Sequence, residues 1–347
     1  MLENYAARTR VGVAPVAGLL LSAASRWRTL ADFCAQFPGY TAASVRASVR
    51  LLARHKFLEK SHRPTTASSY LPHWREWTPA AAYFHFTTKN AKFSSDPGEE
   101  MRFYRQRARQ WSVPAPAKHC ANTRQLGLPP PLPGDQFTEV LHQRRTWRRF
   151  SSKAITLPQL ATLLHTTWGV QHWMKWPVLG RLARKTSPSG GARHPIEAYV
   201  VALNVKGLAR GVYHYASDRH RLELLRKNVT SQIVEDFFPS QWWYRRAAAV
   251  FLMTAVFPRT QWKYPAPRTY RVVLADAGHL GQTFCLTATW LGLAPFCTMA
   301  LADSTIEKAL RVDGVTESVI YATGVGVRPH DERDAGDLPG QLSPKII

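Results

Sequence analysis

The chain is poor in acid. Its 347 residues hold 23 Asp and Glu against 46 Lys and Arg, for a formal net charge of +23 at pH 7. Such a deficit favours an anionic partner, nucleic acid or an acidic peptide among them. The imbalance is steep at the front, where the first 150 residues carry 23 basic side chains against 9 acidic ones. Cysteine is scarce too. Cys34, Cys120, Cys285 and Cys297 show neither C-x-x-C spacing nor the density of a disulfide framework, which argues for a reducing compartment, the cytoplasm. The thirteen histidines form no H-E-x-x-H pattern and no Cys/His grouping, so no metal site is expected. No run is long and apolar enough to span a bilayer, and no membrane partner is expected. "SGGARH" lacks the G-K-[ST] ending of a P-loop, which leaves an ATPase unsupported. No internal repeat is visible.

What the sequence does have is a 45% apolar composition, enough for one substantial domain and a smaller one. The segment "VGVAPVAGLLLSAAS" after Arg8 and Arg10 has the layout of a secretory signal, but a well-patterned helix follows at once. That helix starts at Thr29, breaks at Pro38-Gly39, and gives way to a second one capped by Thr41 or Ser44 with an apolar stripe of Val45, Val49 and Leu52. "KFLEKS" at 56–61 reads as the first strand of a wing. Residues 1–75 are therefore expected to form a winged-helix-like domain, a module that binds either DNA or a peptide paired against the wing. Residues 76–135, basic and then proline-rich in "SVPAPAKHC" and "LPPPLPGD", read as a linker containing one helical piece, "EEMRFYRQRARQW".

From 136 to 347 helices and strands alternate in an α+β pattern. "EAYVVALNV", "GVYHYA" and "HRLELL" read as strands, and "AAAVFLMTAVF" as a fully buried one. A long helix from Tyr270 carries Tyr270, Leu274, Ala277, Gly281, Phe284, Ala288 and Leu291 at helical spacing. The small residues Ala277 and Gly281 on that seam are expected to admit a second helix.

Three stretches carry chemistry. "RRTWRRF" at Arg144–Phe150 holds more arginine than a core can take, "SPSGGARHP" joins basic residues to a buried strand through two glycines, and "WKYPAPRTYR" puts Lys263-Tyr264 just before the long helix. Adjacent glycines let a backbone come close to a ligand, and the surrounding cations suit a phosphate.

In order and spacing these stretches resemble the nitroreductase-like FMN flavoproteins, and more closely the SagB-type dehydrogenases of peptide maturation. The family motif R-[RH]-[ST]-x-[RK]-x-F reads here as Arg144, Arg145, Thr146, Arg148 and Phe150. P-S-x-x-x-x-x-P runs from Pro188-Ser189 to Pro195, and G-[LV]-Y-x-Y follows at Gly211–Tyr215. "ADAGHLGQTF" resembles the family's E-A-G-H-x-x-Q-N helix and includes Gln282, but Asp276 replaces Glu and Thr283 replaces Asn. The likeness covers about residues 136 to 330.

The resemblance implies a nitroreductase-like FMN-binding fold, with FMN at a homodimer interface. Arg144, Arg145, Thr146, Arg148 and Arg328 would serve the phosphate, and Ser189 would hydrogen-bond phosphate or ribityl groups. Gly190 and Gly191 would bring N–H groups to the flavin, and Gln282, Cys297 and Thr298 would line it. It further implies oxidation of thiazoline or oxazoline rings in a ribosomal precursor peptide, alongside other peptide-maturation proteins. Lys263 would take the ring proton and Tyr264 would donate, relay or position. Two other functions fit the same residues: a reductase of dehydroamino acids or nitro/quinone compounds that uses NAD(P)H, and a flavin-sensing DNA-binding regulator. The attached domain makes peptide the preferred partner over nucleic acid.

Overall fold

The computed structural model describes residues 1–4, 7, 9–61, 72–93, 96–118, 126–130 and 132–330. The chain divides into two compact units. One is Met1–Lys89 with Phe257–Val273, and the other is Asn90–Val256 with the chain from Leu274 onward.

The first unit opens with antiparallel strands β1 (Leu2–Asn4) and β2 (Thr9–Val11), then helices α1 (Val16–Ala23), α2 (Leu30–Gln36) and α3 (Ala42–Arg54). Thr29 and Asp32 form a reciprocal capping box on α2: Asp32 N donates to Thr29 Oγ1 at 3.1 Å, and Thr29 N donates to Asp32 Oδ2 at 2.9 Å. Thr41 caps α3 through Ser44 N at 3.2 Å. Val45 and Leu52 bury their side chains against Leu20 and Phe33, and Val49 packs beside them, so the two expected helices share one core. The signal-like segment is α1 itself, with Ala17 and Leu20 in this core. The expected wing strand at 56–61 has only a bridge residue at Lys60, and residues 62–71 lie outside the described residues. Helix α4 (Thr78–Thr88) also belongs to this unit, so the compact unit runs beyond residue 75, into the stretch expected to be linker.

The second unit starts at Asn90 for a local reason. Its side chain donates to Ser304 Oγ at 2.8 Å and accepts from Ser304 N at 2.9 Å, while its backbone N–H donates to Asp303 at 2.8 Å, where the later helix Asp303–Leu310 starts. The helical piece expected in the linker is α5 (Pro97–Gln110). After it come α6 (Gln136–Gln143), β3 (Ile155–Thr156), α7 (Leu157–Trp168), a hairpin of β4 (His172–Trp176) and β5 (Gly180–Arg184), β6 (Ile196–Ala202), β7 (Val205–Lys206), β8 (Gly211–Ala216), β9 (Arg221–Lys227), α8 (Gln232–Phe237) and β10 (Ala249–Val256). The chain then adds α9 (Phe257–Gln261), α10 (Tyr270–Trp290), β11 (Leu293–Thr298), α11 (Asp303–Leu310) and β12 (Glu317–Val327).

Six strands form one sheet in the order β11-β12-β10-β6-β8-β9, with every neighbouring pair antiparallel. β10, the predicted buried strand, lies inside it and is buried over Ala249–Ala255. Because successive side chains alternate across a strand, Phe251 and Leu252 face opposite layers. Phe251 meets Phe284 of α10 at 4.7 Å between ring centroids and stacks on Trp168 of α7 at 5.8 Å. Leu252 joins Phe237 of α8 and Ile306 of α11 in the core on the other side.

The small-residue seam of α10 is a correction to expectation. A Cβ added at Gly281 would lie 2.6 Å from Tyr321 Cε1, so the close neighbour is an aromatic ring of β12 and not a second helix.

Candidate active site

α10 turns three polar residues toward the Ser-Pro-Ser-Gly stretch at positions i, i+3 and i+7, one helical face. Asp276 accepts from Ser189 Oγ at 2.5 Å and from Gly190 N at 3.3 Å. His279 Nδ1 lies 3.3 Å from the Pro188 carbonyl, and Thr283 Oγ1 lies 2.7 Å from Ser187 Oγ. The two departures from the family pattern, Asp276 and Thr283, are thus among the residues that hold the loop. Asp276 is buried, and its desolvation raises its carboxyl against the lowering effect of Ser189 and Gly190.

The loop is tense. Gly191 adopts φ 62°, and Ala192 at φ 53° and His194 at φ 43° enter the left-handed region without being glycine. Such conformations persist only where surrounding contacts over-determine them. Here His194 N donates to Ser189 Oγ at 2.9 Å, Ala192 N to Ser189 O at 3.0 Å and Arg193 N to Gly190 O at 3.3 Å.

These bonds revise two expectations. The Ser189 hydroxyl donates to Asp276 and accepts from His194, so its proton and one lone pair fix the loop. The Gly190 N–H is likewise turned to Asp276. What glycine supplies at 191 is the left-handed turn. Behind the loop, between Trp168, Lys185 and Leu280, the cavity measures about 10 Å³, room for about one water.

The arginine segment runs extended beside β11. Trp147 N donates to Pro295 O and Ser151 N to Val327 O, both at 2.9 Å, while Trp147 and Phe150 are buried. An added Cβ at Gly326 would meet Phe150 Cδ1 at 2.6 Å, so glycine there admits the ring. Arg144, Thr146 and Arg148 are half-buried. No carboxylate pairs with Arg144 among the described residues, and the chemistry of this donor set suits a phosphate dianion. Arg145 is exposed and lies over Trp147, 4.6 Å from its ring centroid. Arg328 gives Nε to Leu293 O at 3.0 Å and Nη2 to Thr289 O at 3.1 Å, which ties the end of α10 to the start of β11. It acts as a backbone clamp.

Cys297 is half-buried on β11 opposite Thr323, and Tyr321, two residues along β12, projects from the same sheet face. A hydrogen bond with buried Cys285 of α10 lowers the Cys297 thiol, with Tyr321 and the Arg144 charge acting in the same direction. The same bond, and then burial, pushes Cys285 up. No residue adjacent to Cys297 in the sequence is one that would activate its thiol. Cys285, four residues after Gly281 and on the same helical face, is the neighbour that was missed. Thr298 Oγ1 donates to Gln241 Oε1 at 2.8 Å and accepts from Ala300 N at 3.1 Å. Gln282 is exposed on α10.

Lys263 and Tyr264 fall in the segment that belongs with the N-terminal unit. Both amides cap onto the Thr260 carbonyl, at 3.2 and 2.9 Å, and Lys263 Nζ lies 5.5 Å from the Tyr264 ring centroid. The Tyr264 carbonyl accepts from Trp77 Nε1 at 3.1 Å and Thr269 Oγ1 at 3.0 Å. Trp77 is fully buried in an aromatic cluster with Trp74, Phe257 and Tyr270, and His85 Nδ1 lies 3.0 Å from the Tyr270 hydroxyl. This cluster stood in a stretch without periodicity. Its only visible signal was the local density of tryptophan.

The N-terminal unit contributes a groove of about 980 Å³ along α2, α3 and residues 57–61. Arg26, Arg28, Arg50, Arg54 and Lys60 line it together with Phe33, and among the described residues Glu59 is its one acidic lining residue.

Known proteins resemble this chain over part of its length. The chain is 37% identical over 148 residues to the trifolitoxin-processing protein TfxB of Rhizobium leguminosarum, covering 41% of this chain and 39% of that protein. It therefore spans about two fifths of that relative's length. It is 31% identical over 178 residues to a Methanocaldococcus jannaschii protein named as a nitroreductase, covering 51% of this chain and 85% of the other. Among solved structures, a chain of the E. coli microcin synthetase McbBCD complex with truncated pro-MccB17 bound superposes with a TM-score of 0.52 at 18% identity. The match covers 78% of this chain and 100% of that one, and at this identity it speaks to the fold alone. The nitroreductase family model matches residues 141–327. The chain belongs to the nitroreductase family.

Proposed function

We propose that this protein is a SagB-type, FMN-dependent dehydrogenase that oxidises azoline rings in a ribosomal precursor peptide. The observation that carries the reading is the half-buried Arg144, without a carboxylate partner among the described residues, on the segment that matches the family's FMN motif. Arg144 and Arg148 would hold the FMN phosphate by charge-assisted hydrogen bonds, with Thr146 adding a hydroxyl. Arg328 and Ser189 would position the surrounding backbone. When bound, FMN supplies the acceptor for the hydride that leaves the ring.

The remaining task is proton removal. The ring C–H beside the carbonyl is the acidic one, and Lys263 would take its proton while the Tyr264 hydroxyl orients the ring. Anchoring of Tyr264 through Trp77 and Thr269 supports a fixed geometry for that step, which is what a proton-transfer pair needs. The cationic groove supports recognition of an acidic, extended part of the precursor by the N-terminal unit. A homodimer and a complex with further maturation proteins complete the reading; the relative named for trifolitoxin processing supports the peptide context.

The test is direct. Protein loaded with FMN is incubated with a thiazoline-bearing peptide, and the product is weighed by mass spectrometry. A loss of about two daltons, the mass of two hydrogens, is the expected result. An FMN-loaded protein that leaves azolines intact yet reduces a quinone at the expense of NADH would replace this reading by the reductase one.

A further inference from the structure

The hairpin of β4 and β5 pairs with no other strand among the described residues, so the outer edge of β4 joins no sheet, while on the outer edge of β5 the Ala183 carbonyl is met by His194. Its register sets Trp173 opposite Ala183, Met174 opposite Leu182 and Lys175 opposite Arg181. Residues alternate between faces, so Met174 and buried Leu182 point one way while Trp173, Lys175, Arg181 and Ala183 share the other. On that second face Trp173 is 42% exposed, and the Arg181 guanidinium lies 4.5 Å from its ring centroid. Trp176, on the Met174 face, is exposed as well, and no Asp or Glu occurs in the sequence between Glu139 and Glu197.

Two features of the arm oppose its own stability. Lys175 and Arg181 are like charges set directly across the ladder, an arrangement that destabilises a strand pair. At the tip, Leu179 N donates to Pro177 O at 2.7 Å around Val178, a β-branched residue at φ 65° and 97% exposed. Charges on an edge can serve merely to block aggregation, but a blocking edge would not also display two tryptophans. The foot of the arm is bonded to the candidate site: His194 Nε2 lies 3.0 Å from the Ala183 carbonyl, and His194 N donates to Ser189 Oγ.

We infer that this hairpin is a docking arm for an acidic, extended segment of the peptide that the protein modifies. A carboxylate set between Lys175 and Arg181 turns their repulsion into two charge-assisted hydrogen bonds. An open strand edge offers backbone N–H and C=O groups to a further strand, and the tryptophans supply apolar area. Cations and aromatics also receive single-stranded nucleic acid. The open backbone edge favours the peptide, since a sugar-phosphate chain has no ladder to complete. The inference rests on the peptide-modifying reading, and it places a second contact on the precursor beside the loop that Ser189 anchors.

The test uses the full chain and a labelled peptide of alternating Glu and Thr carrying a photo-crosslinker, with flavin content measured on every sample. Wild type should bind the peptide, crosslink within 172–184, and prefer it to a Lys-Thr peptide. Backbone N-methylation of the peptide should weaken binding. Lys175→Glu with Arg181→Glu should weaken it by about tenfold or more, as loss of two charge-assisted contacts requires, with flavin content unchanged. Unchanged affinity in that variant, adducts confined to the N-terminal groove, or stronger capture of a thymidine oligonucleotide by the arm would each overturn the inference and leave the flavin reading intact. A dimer that falls apart in the variant would overturn it too, because the arm would then be a subunit contact. A wild-type chain that retains no flavin would instead strike the underlying reading.

Discussion

The two units treat their polar groups in opposite ways. Around α10, Asp276, His279 and Thr283 satisfy the loop from Ser187 to Gly190 almost residue by residue, and the left-handed Ala192 and His194 are held by hydrogen bonds to Ser189. In the N-terminal unit five cations line a groove beside a single carboxylate among the described residues. A site closed by its own hydrogen bonds is preorganised and should tolerate salt. An open cationic groove attracts by field and should weaken as salt rises.

That contrast is broken most severely at the Lys-Tyr turn. Lys263→Ala should lower turnover by about a hundredfold or more, the range of general acid–base catalysis, while flavin content and peptide affinity hold. Tyr264→Phe tests the partner in the same assay. Near-normal turnover in both variants would make the turn purely structural.

A smaller effect separates buried from open electrostatics by pH. His214 sits 2.8 Å from Glu223 and 3.2 Å from Glu197, and its hydrogen bond to Glu197 leads in raising it to about 9 against the cost of burial. A raised histidine stabilises the fold fully below its ordinary 6.5, and this stabilisation is lost as pH rises through about 9. Urea unfolding at the two limits should differ by about 2 kcal/mol, and His214→Gln should flatten the difference. A wild-type stability that does not fall across that window would show that the charge triad contributes nothing.

Packing gives the next effect. Gly281→Ala drives a Cβ toward Tyr321 and should cost about 1–3 kcal/mol, read as a lowered melting temperature. The smallest change belongs to the groove. Arg50→Glu or Arg54→Glu should each cost about 0.2–1 kcal/mol of precursor affinity, as exposed charges do, and the loss should fade at high salt. A salt-independent loss would mean that the groove binds by shape.

The sequence made elements of both units legible where their signals are local. The strand β10 is a continuous apolar run, Thr29, Thr41 and Asp135 sit where caps belong, and the α10 stripe keeps helical period. Pairwise facts stayed hidden. Nothing local says that the Ser189 proton goes to Asp276, that Arg328 spends its nitrogens on Thr289 and Leu293, or that Cys285 meets Cys297, because each pair is joined only by folding. The aromatic cluster of Trp74, Trp77 and His85 was hidden for another reason: it assembles residues from 74 to 270, across a gap that periodicity cannot bridge.

The account depends most on Arg144. FMN titrated into flavin-free wild-type protein, followed by quenching of its fluorescence, should bind with one equivalent per chain. Arg144→Ala should bind about tenfold to a hundredfold more weakly, as loss of one or two charge-assisted phosphate contacts implies, with Arg145→Ala close to wild type because its guanidinium lies over Trp147. Equal FMN affinity in wild type and Arg144→Ala would contradict the central claim.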